Sequence, residues 1–284
     1  MGVREALAEI LTTPAIVLAQ WREHPQSLRD RHQLSQAEAD MLLTAATHAG
    51  CQVTADQVRF KLRTALECAL PRTVAEADAR HGPVVEEFVR NTVRRPFLDK
   101  ETALFALGDT FLAWIAGQVP DGLIDFGQFE LVRNRLVHDP VAAEAARTWA
   151  HTDHGTSPAA GREQVARSRL TLSATVRLAA YDHDVTAVQA PRNLPRQPVH
   201  VMLHRRWKQP PRIYRAGMGT TLLLSLCDGT RTGSDIAGIS GIEAGAAMDT
   251  LQRLAKAGVV TPNLPIPNPA SPGATSTGGN THPG

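Results

Sequence analysis

The sequence predicts a mainly α-helical protein with a small antiparallel sheet, divided between an N-terminal helical domain and a C-terminal mixed domain. Three observations lead to this fold class: helical periodicity over the first half of the chain, strand-like alternation after a polar interruption, and three short helical segments further on. The chain has 284 residues, 43% of them hydrophobic. It is therefore long enough for two domains that each bury a core.

The first half of the chain carries the signals of several helices. Ser35 and Glu38 form a capping box, which predicts a helix start. A second helix is predicted to begin with Thr54 or Asp56 as its cap and to end before Pro71, because the residue preceding a proline disfavours helical conformation. Further helices are predicted for residues 84–92, 104–118 and 126–136, all within a helical domain of residues 1–150.

The next part of the chain changes from helical to strand-like patterning. Residues 151–164 are small and polar, which predicts a linker. Beyond them, residues 170–176 and 199–204 alternate apolar and polar side chains, as strands do. A turn at residues 208–212 predicts a hairpin return at Ile213 to Arg215. The second domain is predicted to span residues 165–262, followed by a disordered tail, 263–284, poor in apolar residues.

Residues 222–260 predict three helices joined by two turns. The first is closed by a turn at Asp228–Thr230, the second has Ser234 as its cap, and the third runs from about Glu243 to Ala257. Gly258 stands where a C-terminal cap belongs, before an incipient strand. Three helices in this order match the core of a winged helix, a fold that binds either DNA or peptides.

Composition restricts the function without deciding it. The net charge of +2 supplies no overall field for binding a polyanion. Cys51, Cys68 and Cys227 are odd in number and widely spaced, which argues against a disulfide framework and a zinc cluster and favours a reducing cytoplasm. The N-terminal segment has no long apolar run, so neither a signal peptide nor a membrane span is predicted.

No catalytic or cofactor motif is present in the sequence. It lacks a glycine-rich phosphate loop, a Gly-x-Ser-x-Gly turn and a His-Glu-x-x-His helix, so we predict that the chain is not an enzyme and holds no cofactor. His200 and His204 share one strand face, but a metal site needs three or four ligands, and a structural pair is favoured. Tyr181 to Asp184 could bind a cation, although a solvated turn is favoured. Cys227 is predicted to pack as a small apolar side chain.

Several segments of the helical domain carry a family resemblance. The run Val58–Ala75, with the step Leu70-Pro71-Arg72-Thr73, is followed by Phe88 and by the runs Phe111–Ile115 and Phe129–Arg133. Together they resemble the helical domain of the partner proteins of multinuclear non-heme iron-dependent oxidases. The resemblance implies a non-catalytic subunit that forms a heterodimer with the oxidase and presents a ribosomal precursor peptide for modification of its cysteine. The docking residues that it implies are Arg72, Phe129 and Arg133. An added helix before Leu34 and the long tail depart from that pattern.

The C-terminal half carries a second resemblance. Leu226–Thr232 and Leu251–Val260 resemble the winged-helix peptide chaperone of the pyrroloquinoline quinone pathway, a precursor-peptide recognition element. The resemblance implies that a leader peptide binds as an added strand at a sheet edge beside the third helix. In that mode the main chain supplies affinity and alternate side chains supply specificity. The residues implied are Val199, Val201 and Leu203 on the edge strand and Ala247, Thr250, Leu251 and Arg253 on the helix.

A winged-helix transcriptional regulator is the alternative function. A DNA-reading helix needs Arg, Lys, Asn or Gln on its exposed face to reach phosphates and base edges. Residues 243–250, which open the third helix, contain none of these types and include Glu243 and Asp249. This composition favours a peptide over DNA. A scaffold that docks two proteins without binding a peptide also stays open.

Overall fold

The computed structural model describes residues 2–12, 15–91, 100–152, 161–186, 191 and 194–263. Within these residues the protein is mainly helical and has two small antiparallel sheets of three strands each, which confirms the predicted fold class. The chain divides into two compact units: unit 1 comprises residues 1–146 and 177–216, and unit 2 comprises residues 147–176 and 217–284. No helix of the described residues is long and apolar enough to cross a membrane.

This division differs from the predicted domains of residues 1–150 and 165–262. Residues 177–216, predicted to belong with the C-terminal helices, are part of unit 1. Their strands bury apolar side chains such as Val201 and Leu203 in one cluster with Phe126 and Phe129 of the helical region. Local alternation predicts that a strand exists but not which helix covers it, and this explains the error. Most of the predicted linker, and residues 264–284 of the predicted tail, lie outside the described residues.

Four helices open unit 1 and enclose their own apolar cluster around Trp21 and Leu28. Three of them precede Leu34, where a single helix was predicted. The fourth begins at the predicted capping box: the Ser35 N–H donates to the Glu38 carboxylate at 2.8 Å, and the Glu38 N–H donates to the Ser35 hydroxyl at 3.3 Å. The bounds are α1 (Val3–Thr12), α2 (Ala15–Glu23), α3 (Pro25–His32) and α4 (Gln36–Ala45).

Six further helices of the described residues complete the helical region. The first of them starts five residues before Thr54, so the predicted cap at Thr54 or Asp56 is wrong; the Thr54 hydroxyl donates to the Gly50 carbonyl inside the helix at 2.8 Å. Its predicted end before Pro71 is confirmed. The bounds are α5 (Ala49–Ala69), α6 (Pro71–His81), α7 (Val84–Asn91), α8 (Lys100–Ile115), α9 (Asp121–His138) and α10 (Pro140–His151).

The sheet of unit 1 has the strand order β2-β3-β4, with bounds β2 (Val176–Tyr181), β3 (Val199–His204) and β4 (Arg212–Ala216). The predicted hairpin return is confirmed, since β3 and β4 pair antiparallel with Val201 opposite Arg215 and Leu203 opposite Ile213. The apolar face of the sheet packs in the same cluster as residues of α9. Helix α9 therefore packs against β2 and β3.

Unit 2 consists of short helices around a sheet of order β5-β1-β6. Residues 228–230, predicted as a turn, begin a strand, and Thr232 rather than Ser234 caps the following helix with a capping box to Asp235. Gly258 follows the last helix with φ +73°, as predicted for a cap glycine. The bounds are α11 (Arg162–Arg167), β1 (Arg169–Leu172), α12 (Met218–Ser225), β5 (Asp228–Thr232), α13 (Gly233–Ile239), α14 (Ala244–Lys256) and β6 (Val260–Asn263).

Candidate functional site

The strand predicted to receive a peptide is the central strand of its sheet. Val199, Val201 and Leu203 lie on β3, between β2 and β4, with 9%, 1% and 0% of their surface exposed. Because both backbone edges of β3 are already paired, the predicted receiving edge is wrong. The alternation of valine and histidine misleads here, since His204, the expected solvent-facing residue, is itself buried.

The helix face predicted to line the groove belongs to the other unit. Ala247 and Leu251 of α14 are fully buried, so they are core residues of unit 2 and not a peptide surface. Thr250 is half-buried and accepts a hydrogen bond from the exposed Arg253 guanidinium at 3.1 Å. The strand residues and the helix residues of the predicted groove are therefore assigned to different units.

One edge of the unit 2 sheet is closed by a proline. The Ser173 N–H donates to the Val259 carbonyl at 2.9 Å, and hydrogen-bonded pairs alternate along an antiparallel ladder. Pro262, opposite Leu170 in β1, therefore occupies a position whose backbone groups point outward. Proline has no N–H, so the outer side of β6 lacks this donor for a further strand.

The opposite edge of the same sheet is occupied by its own carboxylates. The Thr230 N–H donates to Asp228 at 2.9 Å, and the Thr232 N–H donates to Asp235 at 2.9 Å. The Thr230 and Thr232 hydroxyls bond to the same two carboxylates. These backbone donors of β5 are thus unavailable to a peptide.

The outer strand of the unit 1 sheet, β4, is an open edge. Its only neighbouring strand in the described part of the chain is β3. Arg212, Ile213 and Arg215 are exposed, Ile213 at 41%, and no proline or bulge interrupts the five residues. The strand at the other side, β2, is more covered, since only Ala180 of its six residues is exposed. An edge strand of this kind presents N–H and C=O groups to any chain that pairs with it.

The hairpin that ends in β4 is strongly basic. Residues 199–216 contain five Arg or Lys side chains and no acidic residue, although the whole chain has a net charge of only +2. Two of the five are used inside unit 1. Arg205 donates to the carbonyls of Leu136 and Asp139, both at 2.9 Å, and Arg215 pairs with the buried Asp184.

Three cations of the hairpin remain without a carboxylate partner among the described residues: Arg206, Lys208 and Arg212. The Nζ atom of Lys208 lies 5.9 Å from the ring centre of Trp207, and the Arg206 Nε is buried with no hydrogen-bond acceptor in the described structure. Burial, followed by the charges of Arg206 and Arg212, lowers the pKa of His204 to about 4. The field at this hairpin is therefore positive.

The three residues implied as the oxidase-docking surface differ in burial. Phe129 is buried in the core beside Phe126 and Tyr181, so its prediction as a docking residue is wrong. The Arg72 guanidinium is half-buried and lies 5.0 Å from the centre of the Phe126 ring. Arg133 is half-buried on α9. Apolar character alone did not distinguish a core phenylalanine from an exposed one.

Two of the segments that carried the first resemblance, Val58–Ala75 and Phe129–Arg133, meet in one buried contact. Glu130, only 3% exposed, accepts the backbone N–H groups of Arg72 and Thr73 at 3.2 and 2.9 Å and the Thr73 hydroxyl at 2.7 Å. Helix α6 has no side-chain cap of its own from Leu70. A carboxylate from α9 thus caps α6, which is a structural role that the sequence pattern did not reveal.

Residues 181–184 do not form the predicted solvated turn. One carboxylate oxygen of Asp125 lies 2.8 Å from His183 Nδ1 and accepts the His183 N–H at 3.0 Å. Asp184 is buried and bonds to Thr186 and Arg215. His183 lines a cavity of about 730 Å³ with residues of α6 and the start of α9, so this polar cluster holds a loop in place beside a cavity.

The remaining groups considered from the sequence, Cys227 and the carboxylate of Glu243, contribute to packing and helix capping. Cys227 is buried, its thiol donates to the Leu223 carbonyl at 3.2 Å, and burial raises its pKa to about 12, so it packs as predicted. Within the described ranges, no group of three or more His, Cys, Asp or Glu side chains could hold a metal ion. The Glu243 carboxylate caps α14 by accepting the N–H groups of Gly245 and Ala246.

Comparison with protein-family models and with curated proteins finds no match to this chain.

Proposed function

We propose that this chain is a cytoplasmic, non-catalytic accessory subunit that binds a ribosomal precursor peptide as a strand added to β4 and presents it to a multinuclear non-heme iron oxidase. The observation that supports peptide binding is the open edge of β4, at which Arg212, Ile213 and Arg215 are exposed. The oxidase partnership rests on the family resemblance of the helical region.

Strand addition recognises the backbone of a peptide and leaves the side chains that are to be modified free. Outward-facing N–H and C=O groups recognise any extended backbone, and each hydrogen bond contributes roughly 0.5–1.5 kcal/mol net. A five-residue edge offers only a few such bonds. Side-chain contacts beside Ile213 and Tyr214 must therefore add to the affinity.

Unit 2 fits a winged-helix-like module that contacts protein rather than DNA. Its elements follow in the order α12, β5, α13, α14 and β6, with β1 as the central strand of the sheet, and this order supports the proposal of a winged-helix-like module. The N-terminus of α14 is capped by Glu243, and Asp249 in its first two turns pairs with Arg162 of α11 at 3.1 Å. The first two turns of α14 offer no Arg or Lys of their own to a phosphate, so a transcriptional regulator is the less favoured function.

The test of β4 uses the intact chain and the short Cys-containing peptide expected to be encoded beside the oxidase. Adjacent residues of a strand direct their N–H groups to opposite edges of the strand. Of the two variants Ile213→Pro and Tyr214→Pro, one therefore removes a hydrogen bond to β3, and the other removes an N–H that points away from β3. The variant that keeps its sheet, judged by far-ultraviolet circular dichroism, should lose at least about tenfold in peptide affinity, or about 1.4 kcal/mol. Parental affinity in that variant contradicts the assignment to β4.

The oxidase partnership has a separate test. Co-expression with the oxidase should yield a stable heterodimer, while the purified single chain should contain no stoichiometric iron. One or more equivalents of tightly bound iron in the single chain contradicts the non-catalytic role. Duplex binding to a defined operator, weakening by orders of magnitude as salt rises, would favour the regulator instead.

A further inference from the structure

The chemistry of the β4 edge restricts the peptide that it can accept. We propose that the segment bound at β4 is an acidic extended strand, with Asp or Glu opposite Arg212 and beside the hairpin turn. This inference rests on the proposed peptide-binding function and adds the chemical class of the ligand. It follows from the charge and side-chain geometry of the hairpin that contains β3 and β4.

The position of Arg212 sets one acidic position of the ligand. Side chains alternate between the faces of a sheet, so Arg212 and Tyr214 share one face, with His204 and Met202 as their cross-strand neighbours on β3. A strand added outside β4 places its own alternate side chains about 4.5–5.5 Å from those of Arg212 and Tyr214, measured between Cβ atoms. A carboxylate there reaches the Arg212 guanidinium, and an apolar or aromatic side chain two residues along meets Tyr214.

The turn of the hairpin supplies the other cations. Arg206 and Lys208 precede β4 and have no carboxylate partner among the described residues. A basic peptide strand would meet repulsion from Arg206, Lys208 and Arg212, so the hairpin selects by rejecting cations as well as by attracting anions.

A peptide fits this surface better than a nucleic acid does. The three unpaired cations lie on one hairpin beside an exposed apolar residue, Ile213, and an unpaired strand edge. Phosphate binding makes no use of the strand edge and depends on many phosphate contacts. Exposed ion pairs contribute only about 0.2–1 kcal/mol each. Main-chain pairing must therefore supply most of the affinity, and the acidic residues of the peptide add a smaller part.

The test compares three twelve-residue peptides that differ only in charge. Alternating Glu-Val, Gln-Val and Lys-Val peptides, each with a fluorescent label, are titrated with the full chain at low and at physiological salt. We expect the Glu peptide to bind about ten times more tightly than the Gln peptide at low salt, and the Lys peptide to bind more weakly than either. The combined change Lys208→Gln and Arg212→Gln should remove most of the difference between Glu and Gln peptides.

A matched control is Arg231→Gln, which removes a half-buried arginine from the edge strand β5 of unit 2 and should leave all three affinities unchanged. Equal affinities of the Glu and Gln peptides would overturn the acidic preference and leave strand addition standing. If no peptide binds, both proposals fail. A single-stranded DNA of twelve nucleotides that binds more tightly than the Glu peptide, and does so through Lys208 and Arg212, would overturn the peptide assignment in favour of nucleic acid.

Discussion

The two sheets of this protein are the same size but differ at their edges. In unit 2, Pro262 removes an outward donor from β6, and Asp228 and Asp235 occupy backbone donors of β5. In unit 1, β4 presents five residues without proline or bulge, and its outer side has no neighbouring strand in the described part of the chain. Unprotected edges invite pairing with other chains, and proteins commonly block them. The contrast between a blocked sheet in unit 2 and an open edge in unit 1 supports the proposal that β4 binds a peptide.

The largest expected effect concerns the support of the open sheet. Replacing Glu130 by Ala leaves the N–H groups of Arg72 and Thr73 at the start of α6 without their acceptor in a buried site. We expect unit 1 to lose about 3 kcal/mol of unfolding free energy, since buried donors are left unpaired and a charge at a helix N-terminus is lost. Denaturant unfolding measures the loss.

The control for that experiment is Glu67→Ala, which removes an exposed carboxylate that pairs with Arg63 along α5. This change should cost less than about 1 kcal/mol. Amide exchange should locate the Glu130→Ala effect in α6, α9 and the unit 1 sheet, with β5 and β6 protected as before. Equal destabilisation by the two changes would show that Glu130 is not the cap we describe.

A somewhat smaller loss of stability is expected from a substitution at Gly258, between α14 and β6 of unit 2. Gly258 has φ +73°, and an added Cβ would lie 2.4 Å from the Trp149 indole nitrogen. Gly241 has φ +68° but open space around it. Gly258→Ala should therefore destabilise unit 2 by about 2–3 kcal/mol, against roughly 1 kcal/mol for Gly241→Ala, where only backbone strain applies. Thermal unfolding of the two variants separates steric conflict from strain, and equal shifts would contradict the contact with Trp149.

The next prediction concerns how the unfolding free energy depends on pH through His204, a buried residue of the central strand β3. Burial lowers the pKa of His204 from 6.5 to about 4, with further contributions from Arg206 and Arg212. Between these values the unfolded chain binds a proton that the folded chain does not, so stability falls as pH falls from about 6.5 to 4. His204→Gln should remove a loss on the order of 1–2 kcal/mol over this range, and an unchanged loss in this variant would contradict the role of His204. Unfolding curves at pH 7 and pH 4.5 provide the comparison.

The smallest effect follows from unblocking the closed sheet. Pro262→Thr adds an outward N–H to β6 and should change stability by less than about 1 kcal/mol. It should, however, give weak concentration-dependent self-association, because an edge donor is restored beside the carbonyl groups. Sedimentation equilibrium detects this association. A variant that stays as monodisperse as its parent would mean that Pro262 is not what protects this edge.

Local signals predicted the elements of the fold better than their assembly. The Ser35 capping box, the helix end before Pro71, the β3–β4 hairpin and the glycine after α14 all depend on neighbouring residues, and all are confirmed. The helix start at Ala49 was missed because no side chain caps it. The extended run at residues 170–176 was read as one strand, although it ends β1 in one sheet and begins β2 in the other.

The prediction of β3 as the peptide-binding edge was wrong because it, too, depended on how the elements assemble. Whether Val201 lies on an edge or a central strand depends on which strands pair beside it, and pairing is a long-range property. The basic hairpin, in contrast, was visible in the sequence as five cations without an acid over residues 199–216. Weighing charge along with apolar alternation would have pointed to Arg212 and its neighbours.

The most direct test of the account is amide hydrogen exchange of the unmodified protein with and without the precursor peptide. Strand addition at β4 predicts that outward amides among residues 212–216 slow on binding, while the amides of β5 and β6 exchange at unchanged rates. Slowing confined to β5, β6 or α14, with β4 unaffected, would contradict the assignment of the open edge as the peptide site.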